Sequence, residues 1–324
     1  MKEFEYVHPK SLTQAAALLA ERPDSSKPIA GGVDLIGEMK DYLATPSRVV
    51  NLKSIPGLDE IRESPNGLRL GPLALLATLE KHTKLTGAYA AIAQAAASVG
   101  SVQIRNQGTL GGNLCQRPRC WYYRSPVHPC LKKGGSVCFS VSGENKFNAI
   151  LGGGPSYIVH PSDLAPALIA LDATVSIIDS RGKVRTIPLE EFYTLPEVDV
   201  TRETVLKPGE LVSEINVPKA SGKSAYLKFK EKETMDFALS AAAVSLTIDG
   251  GVCKKARVVL GGVAPIPWRA RAAEAALVGK RIDARVAQAA AEAATEGAQP
   301  LSGNGFKIPL THTLVRRAIL SLIG

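Results

Sequence analysis

Thr109-Leu-Gly-Gly-Asn-Leu-Cys115 runs straight into Cys120, Cys130 and Cys138. A Gly-Gly turn with the look of a phosphate cradle is thus joined to a run of thiols with the look of a metal site. Two adjacent glycines let the backbone turn tightly and leave its N–H groups unobstructed by any Cβ. Basic residues gather in the same region: Arg105, Arg117, Arg119, Arg124, Lys132 and Lys133. A local positive field of this kind suits an anionic cofactor or an acidic partner. Together these features imply two redox cofactors placed close to each other.

The same glycine chemistry occurs about eighty residues earlier, in Ala30-Gly31-Gly32-Val33-Asp34. This run lies between a predicted strand over 27–30 and a predicted helix over about 34–43, flanked by Ile29 and Leu35. Two such loops can grip one pyrophosphate from both sides. Thr109 and Asn113 add side-chain hydrogen bonds beside Gly111 and Gly112. Each loop also reads as a plain tight turn, with Asp34 as an N-cap. A third motif is Ser162-Asp163 ahead of Leu-Ala-Pro. Asp163 can accept from ribityl or ribose hydroxyls, or can simply cap a helix. The chain has no G-x-G-x-x-G, which argues against a Rossmann dinucleotide site. It also lacks G-x-S-x-G, H-E-x-x-H and Walker patterns. His128 and His160 have no partner at ligand or triad spacing, so no catalytic residue is assigned.

The cysteine spacing, Cys115-x4-Cys120-x9-Cys130-x7-Cys138, does not match the paired C-x2–4-C of zinc sites. Iron–sulfur clusters tolerate irregular, loop-borne spacing, so the run is compatible with a [4Fe–4S] cluster. Buried or incidental thiols account for it equally. Trp121-Tyr-Tyr123 either shields a cofactor or is local core. Cys253 falls in a predicted strand as a buried apolar residue.

The 324 residues are 45% hydrophobic, enough for two packed domains. A net charge of +9 without a Lys/Arg block or nucleic-acid motif speaks against nucleic acid. No apolar run reaches membrane-spanning length, and Met1-Lys-Glu-Phe-Glu-Tyr6 lacks the apolar core of a signal peptide. A cytoplasmic, reducing compartment is therefore expected.

Ser11-x-x-Gln14 forms a capping box ahead of an Ala/Leu helix. Strands are expected at 48–52 and 67–70, and helices at 77–83 and 88–99. The Gly-, Pro- and Cys-rich stretch 100–154 has no period and reads as long ordered loops. A strand at 156–160, a helix at 163–171, a hairpin at 173–179 and 183–188, and a strand at 211–217 follow. After a linker at 219–223, three strands (224–230, 237–248, 252–262) precede three helices (269–278, 283–295, 312–322). That order predicts an α+β C-terminal domain with a three-stranded antiparallel sheet.

As an ordered set, Ala30-Gly-Gly-Val-Asp34, Thr109-Leu-Gly-Gly-Asn113 and Ser162-Asp-Leu-Ala-Pro resemble the FAD-binding medium subunit of molybdenum hydroxylases. That is the xanthine dehydrogenase, aldehyde oxidase and carbon monoxide dehydrogenase family. Gly261-Gly-Val-Ala-Pro265, ahead of an Arg-rich helix, is similar to that family's C-terminal flavoprotein domain. The resemblance implies an α+β fold. A vanillyl-alcohol-oxidase (PCMH) type FAD domain would span 1–218, in two lobes (about 1–55 and 56–218), with a cysteine-rich loop at 114–155. A smaller α+β domain would span 222–324. FAD would be held by Ile29, Ala30, Gly31, Gly32, Val33, Asp34, Leu35, Thr109, Gly111, Gly112, Asn113, Ser162 and Asp163.

The cysteine stretch resembles the extra [4Fe–4S] loop of 4-hydroxybenzoyl-CoA reductase and periplasmic aldehyde oxidoreductase flavin subunits. Cys120, Cys130 and Cys138 match three ligands. Position 156, the fourth, is Ser here; the fourth ligand is then Cys115, the Ser156 hydroxyl or water, with Cys115 the candidate, or the cluster is labile or absent. The implied role is electron transfer between a partner's [2Fe–2S] clusters and an external acceptor. The implied partners are a molybdopterin-containing large subunit and a [2Fe–2S] small subunit, in a heterotrimer or a dimer of heterotrimers. Export with a partner would place the chain in the periplasm instead. The rival reading is a zinc-stabilised or cofactor-free scaffold subunit.

Overall fold

The computed structural model describes residues 1–323. Its first unit is a small parallel sheet built by alternating strands and helices. Strands β1 (Glu5–Val7), β2 (Ser26–Ile29) and β3 (Arg48–Asn51) lie in the order β1-β3-β2, both pairings parallel. The connecting helix Leu12–Glu21 begins as its capping sequence dictates. Ser11 Oγ accepts from the Gln14 N–H at 3.1 Å, and the Gln14 side chain accepts from the Lys10 N–H at 2.8 Å. Ala15, Ala16 and Leu19 on its inner face pack against Val50 and Ile55, and against Ile178 and Leu211 of the next sheet.

The second sheet is antiparallel throughout. It contains β4 (Ile61–Ser64), β5 (Gly67–Leu70), β6 (Thr174–Ile178), β7 (Val184–Pro188) and β8 (Leu211–Pro218), in the order β4-β5-β8-β6-β7. Helices Leu76–Lys81, Ala90–Ser98 and Leu164–Ile169 contribute buried residues to its core. Every residue of Leu164–Ile169 is buried.

The third sheet holds β9 (Lys223–Phe229), β10 (Ser240–Asp249), β11 (Val252–Gly261) and the two-residue β12 (Trp268–Arg269), in the order β12-β11-β10-β9. It therefore has four strands rather than the expected three. Arg269 and Trp268 pair with Val259 and Leu260 before the chain turns into the helix Arg271–Leu277. Strand β10 is buried on both faces. Ala241 and Ala243 point into the core shared with the first domain, while Ala242, Val244 and Leu246 point toward the C-terminal helices. Small side chains on the first of these faces let the buried helices approach closely. The helices Ala284–Ala293 and Lys307–Ser321 complete that second core.

Two further sequence expectations fail. Residues 156–160 form no strand, although Ile158 and His160 are buried there. The His160 N–H donates to Ala264 O in the C-terminal unit, so this segment is held by tertiary rather than ladder bonds. Residues 100–154 are not all loop. Short helices occupy Val102–Gln107, Leu110–Leu114 and Trp121–Arg124. The first two are started by side-chain caps, Ser101 Oγ to the Ile104 N–H and Thr109 Oγ1 to the Gly112 N–H.

Candidate functional site

Both Gly-Gly loops and the Asp163 motif converge on one cavity of about 400 Å³. Ile29 through Leu35, Thr109, Gly111, Gly112, Asn113 and Asp163 all line it. Ser162 lies behind this wall. Its hydroxyl donates to Asn113 Oδ1 at 2.6 Å and accepts from the Ala165 N–H at 3.0 Å, so it orients Asn113 while starting the buried helix.

The two loops differ in chemistry despite their similar sequences. In Leu110–Asn113 the N–H groups are used within the protein. Leu110 donates to Ala74 O, Gly111 to Pro72 O, Gly112 to Thr109 Oγ1 and Asn113 to Thr109 O. The N–H groups of Gly31, Gly32, Val33, Asp34 and Leu35 have no hydrogen-bond partner among the described residues. Five successive open donors are what an oxyanion-binding nest requires. Gly31 is fixed there by close approach, since a Cβ would stand 2.0 Å from Gln107 O. Gly32 has φ 73°, a conformation that disfavours side chains. The Gln107 side chain also donates to Gly31 O at 3.0 Å, joining the two loops.

The two acidic residues of the motifs are already engaged within the protein. Asp163 accepts from Tyr226 Oη at 2.5 Å and Lys228 Nζ at 2.7 Å, all three groups being buried. Lys228 comes from β9, lines the cavity, and also donates to Ser98 O. Sequence reading missed Lys228 and Tyr226; nothing local in Ala225-Tyr-Leu-Lys228 signals a partner some sixty-five residues away. Asp34 accepts from the Arg117 N–H at 2.7 Å, Arg119 Nη1 at 2.6 Å and Arg124 Nη2 at 2.7 Å.

The basic cluster is thus largely neutralised internally, which corrects the expected open positive field. Arg117 and Lys132 approach the buried Glu203, at 2.8 and 2.7 Å. Lys133 turns back to Ser125 O. Arg105 pairs with Glu80. Arg119 Nε, in a residue that lines the cavity, is buried with no partner of its own.

The cysteines separate. Cys115 lines the cavity and packs against the main core, and burial pushes its thiol up to about 12. Burial raises the Cys120 thiol, with Cys138 adding in the same direction. The Asn148 amide donates to Cys120 Sγ at 3.7 Å, and Cys138 Sγ lies 3.0 Å from Ser140 Oγ. Cys130 and Ser156 are buried. Among the described residues no three His, Cys, Asp or Glu side chains come together as a metal-holding group. Tyr122, His128 and Phe139 pack ring against ring, and Trp121 against Phe147, so these aromatics act as local packing for the loop. All five cysteines are free.

Comparison with known proteins agrees with this geometry. Residues 2–220 match the FAD binding domain in molybdopterin dehydrogenase, and residues 224–322 match the CO dehydrogenase flavoprotein C-terminal domain. The chain is 36% identical to the aldehyde oxidoreductase FAD-binding subunit PaoB of Escherichia coli (strain K12), over 100% of this chain and 98% of the relative. It is 29% identical to the carbon monoxide dehydrogenase medium chain of Hydrogenophaga pseudoflava, over 98% and 96%. Quinoline 2-oxidoreductase from Pseudomonas putida 86 superposes with a TM-score of 0.78 at 27% identity, covering 100% of this chain and 98% of that one. With both domains matched along nearly their whole length, and the glycine loops facing one cavity, the chain belongs to the FAD-binding subunits of the molybdenum hydroxylase family.

Proposed function

We propose that FAD lies in the cavity between the two glycine loops, with its pyrophosphate on the five open N–H groups of Gly31 to Leu35. Those unpartnered donors are the observation that carries the reading. The Cβ-free approach at Gly31 fits an anionic group there as well. Bound in this place, FAD supplies conversion between one- and two-electron transfer. The protein's own part is to hold and orient. Thr109 and the Ser162–Asn113 pair fix the second loop, Gln107 ties it to the first, and Lys228 with Tyr226 fixes Asp163. No side chain of this chain is assigned a chemical step.

The medium-chain relatives support a place in a multi-subunit complex, with substrate oxidation on a molybdenum-bearing large subunit and [2Fe–2S] clusters on a small one. A heterotrimer, alone or doubled, is the proposed stoichiometry. Five free cysteines fit a reducing compartment, so cytoplasmic residence is proposed, with co-export alongside a partner as the other route. Among the described residues no helix is long and apolar enough to cross a membrane. The domain limits are taken as 1–218 and 222–324.

A [4Fe–4S] cluster on Cys120, Cys130 and Cys138 is the finer reading implied by the resemblance. The donor set does not fit a complete one. Four ligands are needed, position 156 is Ser, Cys115 lines the cavity, and no metal-holding group forms among the described residues. No electron step is routed through it, and iron and acid-labile sulfide analysis of the purified chain decides it. The flavin reading is tested by absorbance. Bands near roughly 370 and 450 nm support it, and a colourless protein that takes up no added FAD removes it.

A further inference from the structure

We propose that Arg119 and Arg124 are positioning residues of the flavin site: they neutralise Asp34 so that an anionic pyrophosphate can occupy the Gly31–Leu35 nest. The inference rests on the flavin reading above and adds a function for the start of the cysteine loop. Asp34 stands inside the run of open N–H groups and lines the cavity. An unpaired carboxylate at that place would oppose a second anion in a partly desolvated pocket, where charges act strongly over short range.

Both guanidinium groups reach the same oxygen, Asp34 Oδ1, at 2.6 and 2.7 Å, and the Arg117 backbone N–H holds Oδ2 at 2.7 Å. All of these groups are mostly shielded from solvent. The next acid along, Glu38, is held in the same way: Tyr123 Oη donates to it at 2.7 Å, and Arg124 Nη1 lies 3.7 Å away. Every one of these donors lies between residues 117 and 124. The segment that brackets Cys120 is therefore built onto the first flavin loop, and its contacts there require no metal.

The charge argument differs from a scaffold argument in sign. If Arg119 and Arg124 only held the loop in shape, removing Asp34 as well would do further damage. If they neutralise it, removing Asp34 repairs the defect.

The test is FAD titration of the full chain after flavin removal, read by quenching of flavin fluorescence. Arg119→Gln/Arg124→Gln is expected to weaken FAD binding about tenfold or more, and the loss should shrink as salt is raised from roughly 50 to 500 mM. Adding Asp34→Asn to that variant is expected to restore affinity to within about threefold of wild type. Asp34→Asn alone is expected to tighten binding several-fold, which keeps the test decisive if the arginine variant does not fold. Arg119→Lys/Arg124→Lys, retaining both charges, should stay near wild type. A triple variant no tighter than the double, or a tenfold loss from Asp34→Asn alone, overturns the proposal. A wild type that binds FAD beside an unchanged double variant overturns it while leaving the flavin reading intact. A wild type that binds no FAD overturns both.

Discussion

At Gly31 a single hydrogen in place of a methyl decides whether the two glycine loops can meet. A Cβ there would sit 2.0 Å from Gln107 O, a backbone atom that cannot swing aside. Gly31→Ala is therefore expected to push the loops apart. Bound flavin per chain, read from the visible absorbance of the purified protein, should fall below about one tenth of wild type.

Lys307 is the other residue whose environment sets its chemistry. It is fully buried, and its ammonium donates to Phe147 O, Asn148 O and Gly262 O at 2.8 to 3.0 Å, with no carboxylate paired to it among the described residues. Burial pushes it down to about 7. Between that value and its ordinary 10.5 the folded chain binds fewer protons at Lys307 than the unfolded chain, so stability rises with pH in this window. The slope for one proton is about 1.4 kcal/mol per pH unit. Cys115, held up near 12, acts in the opposite sense above its ordinary 9.0. Urea unfolding from pH 7 to 8.5 is therefore expected to show a positive slope that Lys307→Met flattens. Equal slopes in the two proteins would reject this account.

At the scale of elements, the cysteine loop shows how far local sequence carries. Its caps were written in the sequence: Ser101 and Thr109 start short helices in a stretch whose Gly and Pro content conceals any period. The loop's attachment is not local. Tyr123 reaches Glu38, Lys132 reaches Glu203, and Asn145 donates to Ser302 Oγ. Tyr123→Phe should leave a buried carboxylate oxygen short of a donor, at a cost of about 1 to 3 kcal/mol, measured as a lower urea midpoint. The strand at 223–229 and its neighbours were legible from composition, because β-rich runs separated by turns signal themselves. The helix Lys307–Ser321 begins five residues earlier than expected, since Lys307 is drawn into the interior by three carbonyls that no helix rule foresees.

For the molecule as a whole, the buried Asp163–Lys228–Tyr226 group fastens the C-terminal sheet to the cavity. Removing one member of a buried pair strands the other, at a cost of about 3 to 5 kcal/mol. Lys228→Met should thus lower stability and flavin content together. Lys228→Met with Asp163→Leu should regain much of the stability without regaining the flavin. A double variant as unstable as the single would show that the charge is not what matters there.

The sequence by itself determined most helices and strands outside residues 100–160, the strand-then-helix order of the C-terminal part, and the two Gly-Gly runs. Each of these depends on neighbours within a few residues: a cap, a turn, an alternation. Only the tertiary structure decided which run keeps its donors open, because the N–H groups of Leu110–Asn113 are satisfied by Ala74, Pro72 and Thr109. It also decided that Asp34 and Asp163 face cations of the protein, and that Cys115 lines the cavity. Hydrogen-bond saturation and charge pairing depend on groups brought together from sixty or more residues apart, and chain-local patterns carry no record of them.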